Sequence, residues 1–226
     1  MKLMRLKKSL ILYYKISMII FFVSLGSHQM YAQHSQTVFD EEDKMGRAMS
    51  IQFSLLRPIA FGDNFANKAL SQKVGYQTTI RFYFLKHFFL GAEGGSFSAD
   101  VKDKESVGDY DRSNANTYGI TGGYSFSFNE SHNVDVALAL GSANYRNKKN
   151  DLADRFVDRG SYVKLQLQYN YNFNKHFSIY ALAGLRYDHL DIDSSPLIDD
   201  FINKAQYLTF GFGIKYNLIT YKSIVW

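Results

Sequence analysis

The sequence predicts an all-β fold in which eight antiparallel strands close into an up-and-down barrel. Polar and apolar side chains alternate through long segments, and a period of two is typical of strands. Short and long connections between these segments also alternate, and three hairpin tips recur about 45 residues apart, at 82–88, 126–134 and 171–177. An even number of strands joined in this way is typical of barrels.

The clearest hairpin runs from Tyr162 to Tyr187 and supplies strands 6 and 7. Its two arms, 162–173 and 177–188, are joined by a short turn at 174–176. Each arm has about a dozen residues, which is long for a soluble strand and suits a tilted strand that crosses a bilayer. One face of the hairpin is apolar, with Val163, Leu165, Leu167, Tyr169, Tyr171, Phe173, Phe177, Ile179, Ala181, Ala183, Leu185 and Tyr187.

The other six strands follow from the same alternation. They are predicted at 48–57, 74–85, 88–98, 116–128, 133–145 and 205–218. Phe97 falls on the polar face of the third strand, which suggests a bulge. The two prolines, Pro58 and Pro196, are expected outside strand interiors, because proline cannot donate to the backbone ladder.

The connections fall into two classes. Short turns are predicted at 86–87, 129–132 and 174–176, and long loops at 58–73, 100–115, 146–160 and 190–203. In a membrane barrel the short turns face the periplasm and the long loops face the exterior. The sequence therefore predicts short periplasmic turns and long outer loops.

The first 33 residues have the layout of a secretory signal peptide. A leader with five Lys or Arg precedes the apolar run 16–25, which is too short to span a bilayer. An uncleaved anchor helix is the alternative. We expect a signal peptide at 1–33, a periplasmic lead-in at 34–47 and the barrel at 48–226.

Charge and cysteine content restrict the function. The leader holds 5 of the 26 Lys and Arg and none of the 21 Asp and Glu, so the rest of the chain has 21 of each sign. No basic footprint then favours nucleic acid as a partner. The chain has no cysteine, which excludes thiol catalysis and cysteine-based zinc sites.

Two closed barrels fit eight alternating strands. A soluble, lipocalin-like barrel turns its apolar face inward around a hydrophobic ligand, whereas a membrane barrel turns it outward against lipid. Here the polar face is rich in small residues that suit a narrow interior, and aromatic residues crowd the short turns, where a bilayer surface holds them. We therefore predict a transmembrane barrel with an aromatic girdle of Phe82, Phe84, Phe88, Phe126, Phe128, Tyr171, Phe173, Phe177 and Tyr216.

The last predicted strand carries a further signal. Its segment 210–218 reads FGFGIKYNL, and together with the hairpin repeat it resembles the outer-membrane β-barrel domain family, the small OmpA/OmpX-like eight-stranded barrels. The resemblance covers 49–218 and implies location in the cell outer membrane. It also implies that the partners are outer-membrane lipid, lipopolysaccharide and the barrel-assembly machinery, and that the barrel is a monomer. Chains of this family usually end at the aromatic residue of the signal, whereas this one continues to Trp226.

Charged side chains on the polar face are expected inside the barrel, where charges must be paired. Arg81 and Glu93 lie on adjacent strands and are predicted to pair. A second cluster is expected from Lys164, Arg186 and Asp188, and Lys215 also faces inward. An eight-stranded barrel is just filled by side chains, so we predict a salt-bridged interior. A narrow gated ion path is the alternative.

No pattern predicts catalytic, cofactor-binding or metal-binding residues, and we expect no cofactor. Small barrels that modify lipid A use Ser, His and acidic residues, but His189 is predicted to face lipid rather than a nucleophile. The acidic loops lack the ligand spacing of a calcium loop. The sequence predicts a structural or surface-interaction role, without enzymatic activity.

Overall fold

The computed structural model describes residues 45–84, 87–149, 155–193 and 198–221, and these form a closed β-barrel. The predicted signal peptide, most of the lead-in and Pro196 lie outside these residues. The strands and short helices are β1 Met45–Ala60, α1 Phe65–Lys68, β2 Leu70–Gln72, β3 Gly75–Phe84, β4 Phe88–Val101, α2 Lys104–Val107, β5 Arg112–Ser127, β6 His132–Lys148, β7 Arg155–Asn172, β8 Phe177–Leu190, α3 Asp199–Ile202 and β9 Lys204–Tyr221.

Eight of these strands form the barrel, and each pairs antiparallel with both neighbours. The ring closes where β1 pairs with β9 over Met45–Ala60, and where β4 pairs with β5. β2 adds no further position to the ring, because it is only three residues long and continues β3 along the same edge of β4 toward the loop end. The prediction of an eight-stranded antiparallel barrel is confirmed. None of the described helices is long and apolar enough to cross a membrane.

The short and long connections gather at opposite ends of the barrel. We call the end with the hairpin turns after β3, β5 and β7 the turn end, and the opposite end the loop end. Several strands extend farther toward the loop end than the alternation predicted, because polar residues form backbone hydrogen bonds as well as apolar ones do. Thus β6 and β7 pair up to Lys148 and Arg155, within the predicted third loop.

Three details of the strands correct the predictions. Pro58 lies inside β1, beyond the last β3 partner of that strand, so it pairs with β9 alone. Phe97 marks no bulge, because β4 keeps its register on both sides and Phe97 points into the barrel. β9 continues past 218 to Tyr221, which pairs with Met45.

The polar face of every barrel strand points inward. In β7, Leu165 and Leu167 are 50% and 53% exposed, whereas Lys164 and Gln166 are 6% and 3% exposed. An apolar outer wall around a polar interior is the arrangement of a membrane barrel. The lipocalin-like alternative, with its apolar face inward around a ligand, is therefore wrong.

Candidate functional site

The interior begins at the turn end with a charged cluster that spans the barrel. Arg81 on β3 donates from Nη1 to Oδ2 of Asp135 on β6 over 2.8 Å, and Lys215 Nζ on β9 lies 3.3 Å from the same oxygen. Ser125 donates to the other oxygen of Asp135 over 2.6 Å. Arg81 also donates to Gln168 over 3.1 Å. None of the three charged side chains is more than 1% exposed.

A second ion pair lies one layer farther toward the loop end. Glu93 on β4 and Lys164 on β7 are 2.5 Å apart across the lumen. Tyr162 donates to Glu93 over 3.0 Å, and Lys164 donates to Gln77 over 3.0 Å. Both charges are therefore paired and hydrogen-bonded, as burial requires.

A third ion pair lies closer to the loop end and is held by aromatic side chains. Arg186 donates from Nε to Oδ1 of Asp188 over 2.6 Å, and a second bond joins the same two groups. Tyr145 donates to Asp188 over 2.5 Å and lies 2.9 Å from the hydroxyl of Tyr207. The Arg186 guanidinium lies over the ring of Tyr207 at 5.3 Å, a cation–π contact.

The six charges predicted in the interior all lie there, but their pairing differs from the prediction. Arg81 pairs with Asp135 rather than Glu93, because its side chain reaches across the lumen rather than along the sheet. Lys164 pairs with Glu93 and so does not join the Arg186–Asp188 pair. Asp135 is the carboxylate that the prediction missed, although the alternation of β6 already placed it on the polar face.

Glycines on the inner wall make room for large side chains. A Cβ at Gly213 would lie 2.6 Å from Cζ of Tyr180, and one at Gly123 would lie 2.6 Å from Cζ of Phe89. Both aromatic side chains point into the lumen. Between the second and third ion pairs remains a cavity of about 30 Å³, lined in part by Lys164, Gln166 and Arg186. That volume is enough for one or two water molecules.

The loop end of the interior is apolar and was not predicted. The first long connection folds inward, so that Phe65 is 5% exposed and Ala66 and Leu70 are at most 1% exposed. The Phe65 ring packs edge-on against Tyr145 at 5.7 Å. We call these three residues of the connection the cap. It packs against a core that includes Ala60, Phe97, Ala99, Tyr110, Ala115, Ala139, Ala143, Tyr162, Leu190, Ala205 and Tyr207.

Hydrogen bonds from the side-chain amides of Asn64 and Gln72 hold the cap in place. Asn64 precedes α1 and accepts from the backbone N–H of Asn67 over 3.1 Å, an N-cap bond. Its amide donates to the carbonyl of Phe61 over 2.6 Å. Gln72 donates back to the carbonyl of Ala66 over 2.5 Å. A sequence signal did exist, since Phe65, Ala66 and Leu70 are apolar residues within a connection that was predicted to be solvated.

The aromatic side chains predicted to form a girdle lie on the outer wall near the turns. Phe128 and Phe173 are 71% and 61% exposed, and the other seven are between 38% and 57% exposed. Neighbouring rings contact each other, as in the pairs Phe88–Tyr124 at 4.8 Å and Phe177–Tyr216 at 4.9 Å. Their contact with a bilayer surface stays a prediction.

Among the described residues, no group of His, Cys, Asp and Glu could hold a metal ion.

Comparisons with known proteins agree with this architecture. The family model described as "Outer membrane protein beta-barrel domain" matches residues 87–219, more than half of the chain. No curated protein matches. Among solved structures, Neisserial surface protein A is 7% identical with a TM-score of 0.53, and the match covers 75% of this chain and 97% of that one.

Two further structures are similar. The outer membrane protein OprG of Pseudomonas aeruginosa is 10% identical with a TM-score of 0.50, covering 76% of this chain and 96% of that one. Ail, the attachment invasion locus protein of Yersinia pestis, is 16% identical with a TM-score of 0.46, covering 76% and 99%. At these identities the first two structures support the fold alone.

Proposed function

The chain belongs to the outer membrane protein β-barrel domain family, and we propose that it is a closed member whose role is structural or surface-interacting. The protein lies in the cell outer membrane, as its membership of the family shows. The proposal adds that the interior is plugged and passes no ions. It assigns no catalysis to the chain.

The observation that carries the proposal is the stack of side chains along the lumen. Three ion-paired layers follow one another from the turn end, centred on Asp135, Glu93 and Asp188, and the apolar cap then covers the loop end. Hydrated ions need a continuous polar path. Phe65 and Leu70 offer no polar atom there, which supports a closed barrel over the gated path.

Single-channel recording in planar bilayers tests the proposal. We expect the wild-type protein to give no stable conductance steps, because the cap and the ion pairs fill the lumen. Phe65→Ala and Arg81→Ala, each alone, should stay silent as well, since the ion-paired layers at Glu93 and Asp188 still fill the lumen. Lys175→Ala in an exposed turn is the matched control and should stay silent. Stable steps from the wild-type protein would favour the gated path instead.

The remaining parts of the proposal concern partners. We propose that the protein is a monomer in contact with outer-membrane lipid and lipopolysaccharide, delivered by the barrel-assembly machinery through the end of β9.

The absence of catalysis predicts lipid A of unchanged mass when the protein is overproduced. A mass change that disappears with His189→Ala would instead support the lipid A-modifying alternative.

A further inference from the structure

A row of cations lies on the outer wall where β5, β6 and β7 extend toward the loop end. Arg112, Arg146, Lys148 and Arg159 are all exposed, and residues next to them, such as Ser113, Tyr145 and Asn147, point inward and are buried. Arg112 pairs directly with Lys148 across the sheet, and Arg159 pairs with Asn144, two residues from Arg146. We call these four cations the cationic wall.

The cationic wall stands directly above the lipid-facing surface of the same strands. On β7, Val163 is on the outer apolar face and Arg159 is four residues nearer the loop end. At about 3.3 Å per residue this is about 13 Å along the strand. With a tilt of about 45° it is about 9 Å along the membrane normal, which carries Arg159 across a headgroup layer of about 5–8 Å.

Among the described residues, three of these four cations have no ion-pair partner. Arg112 has Asp100 at 3.8 Å, but in the described ranges no carboxylate forms an ion pair with Arg146, Lys148 or Arg159. Asp191 lies beside Arg159, donating its backbone N–H to the Arg159 carbonyl over 2.8 Å, and the two side chains form no ion pair. The neighbouring α2 loop differs, because there Lys104 and Lys149 pair with Asp111 and Asp109.

A groove lies just below the cationic wall. Ser161 is two residues from Arg159 on the same outward face, and its small side chain leaves a depression among Leu140, Val163, Tyr187 and His189. The floor and sides are mostly apolar and the groove opens toward the lipid. We call it the wall groove.

We propose that the cationic wall and the wall groove together bind a phosphorylated lipid of the outer leaflet. Arg146 and Arg159 would take the phosphates, because guanidinium groups bind phosphate oxygens in a bidentate manner. An acyl chain would lie in the wall groove beside Ser161. The inference rests on the contact with lipopolysaccharide that we propose above, and it assigns that contact a site on this chain.

Titration of purified, detergent-solubilised protein tests this inference. The probes are diphosphoryl lipid A, dephosphorylated lipid A and soluble inositol hexaphosphate, with binding measured by microscale thermophoresis. The variants are Arg146→Gln with Arg159→Gln, and Ser161→Trp. Lys68→Gln with Lys175→Gln is the control, which removes the same charge from exposed sites elsewhere. Gel mobility before and after boiling verifies that every variant remains a closed barrel.

We expect the double arginine variant to lose at least tenfold in affinity for diphosphoryl lipid A, and the lysine control to stay within twofold. Ser161→Trp should lose affinity for the lipid, because it fills the wall groove, while its weak binding of inositol hexaphosphate is unchanged. Equal losses in both double variants would overturn the inference in favour of net-charge attraction. Dephosphorylated lipid A binding as tightly would also overturn it.

The two proposals fail separately. A barrel that passes no ions and binds diphosphoryl lipid A equally well with and without Arg146 and Arg159 would overturn the lipid site alone. A conducting barrel that binds the lipid through Arg146 and Arg159 would overturn the closed interior alone.

Discussion

The two halves of the barrel interior are filled by different chemistry. The turn-end half is polar, and its Arg81–Asp135–Lys215 cluster places two cations against one carboxylate. The loop-end half is apolar, and Phe65 of the cap packs there against Tyr145 and its neighbours. Both halves are filled by buried side chains, but only the turn-end half is built entirely from strand residues.

Because of this difference, the two halves should lose stability in different ways when contacts are removed. Buried charges are costly to separate, since removing one partner leaves the others unpaired in a low dielectric. Apolar contacts made by a connection are lost without such a penalty, and a connection can open locally while the barrel remains closed. The turn-end half should therefore govern global stability, and the loop-end half should govern local opening.

The largest loss in the free energy of unfolding is expected from Asp135→Ala at the turn end. It leaves Arg81 and Lys215 buried without a carboxylate, which costs about 3–5 kcal/mol. Urea unfolding in lipid vesicles, read by gel mobility, measures the loss. Asp63→Ala at an exposed site is the control and should change stability little.

Replacing all three turn-end charges should restore much of the stability that Asp135→Ala removes. Arg81→Met, Asp135→Leu and Lys215→Met together should recover most of the loss, because an apolar set of similar volume leaves no unpaired charge. A triple variant as unstable as Asp135→Ala would contradict the assignment of the effect to unpaired charge.

Phe65→Ala should act on the loop-end half alone. Loss of the ring from the apolar core costs about 3 kcal/mol of local stability. The amide of Ala69, which donates to the Phe65 carbonyl, should then exchange its hydrogen about a hundredfold faster, as measured by mass spectrometry or NMR. Phe61→Ala, at an exposed position, is the matched control. An equal fall in global unfolding stability would show that the two halves are not separable.

Tyr145→Phe should have a smaller effect, at the boundary between the halves. The change removes the hydroxyl that donates to Asp188 over 2.5 Å and contacts Tyr207 over 2.9 Å, which costs about 1–2 kcal/mol. Urea unfolding measures it against Tyr187→Phe on the outer wall. If the two variants were equally stable, the hydroxyl network would contribute nothing.

The smallest expected effect is a change in the stability of the exposed α2 loop with pH. Hydrogen bonds from Lys149 and then Lys104 hold the pKa of Asp109 below its ordinary value. A lowered carboxyl pKa stabilises the folded loop above the unfolded pKa, about 4, and that contribution is lost as the pH falls through the folded pKa. NMR shifts of the loop amides should be constant from neutral pH to about 5 and change below about 4. A transition near pH 6 would point to another group.

Much of the fold followed from residue alternation. The two faces of the hairpin 162–187 can be identified from the sequence alone. Polar residues (Lys164, Gln166 and Gln168) alternate there with apolar ones (Val163, Leu165 and Leu167), and this period of two continues over a length that only a strand explains. Phe97 was misread for the same reason, since a single apolar residue on a polar face looks like a register error. In the barrel it fills space against Tyr207 at 5.3 Å.

The candidate site was less predictable. That Arg81, Glu93 and Lys164 face the lumen follows from their strands, but their partners lie on strands that meet only across the closed barrel. The cap was missed because Phe65 and Leu70 belong to a connection, and connections carry no periodicity. The cationic wall also depends on structure, since strand pairing brings Arg146 and Arg159 onto one outer surface.

The sequence by itself determined the number of barrel strands and the two faces of each strand, because these depend on local alternation and on the order of turns. The outer-membrane location followed from the resemblance to the family. Only the tertiary structure decided that Arg81 pairs with Asp135 rather than Glu93 and that the first connection caps the lumen. The physical reason is closure. Which side chains meet inside a barrel depends on how its strands are staggered around the ring, and no stretch of the chain read alone contains that stagger.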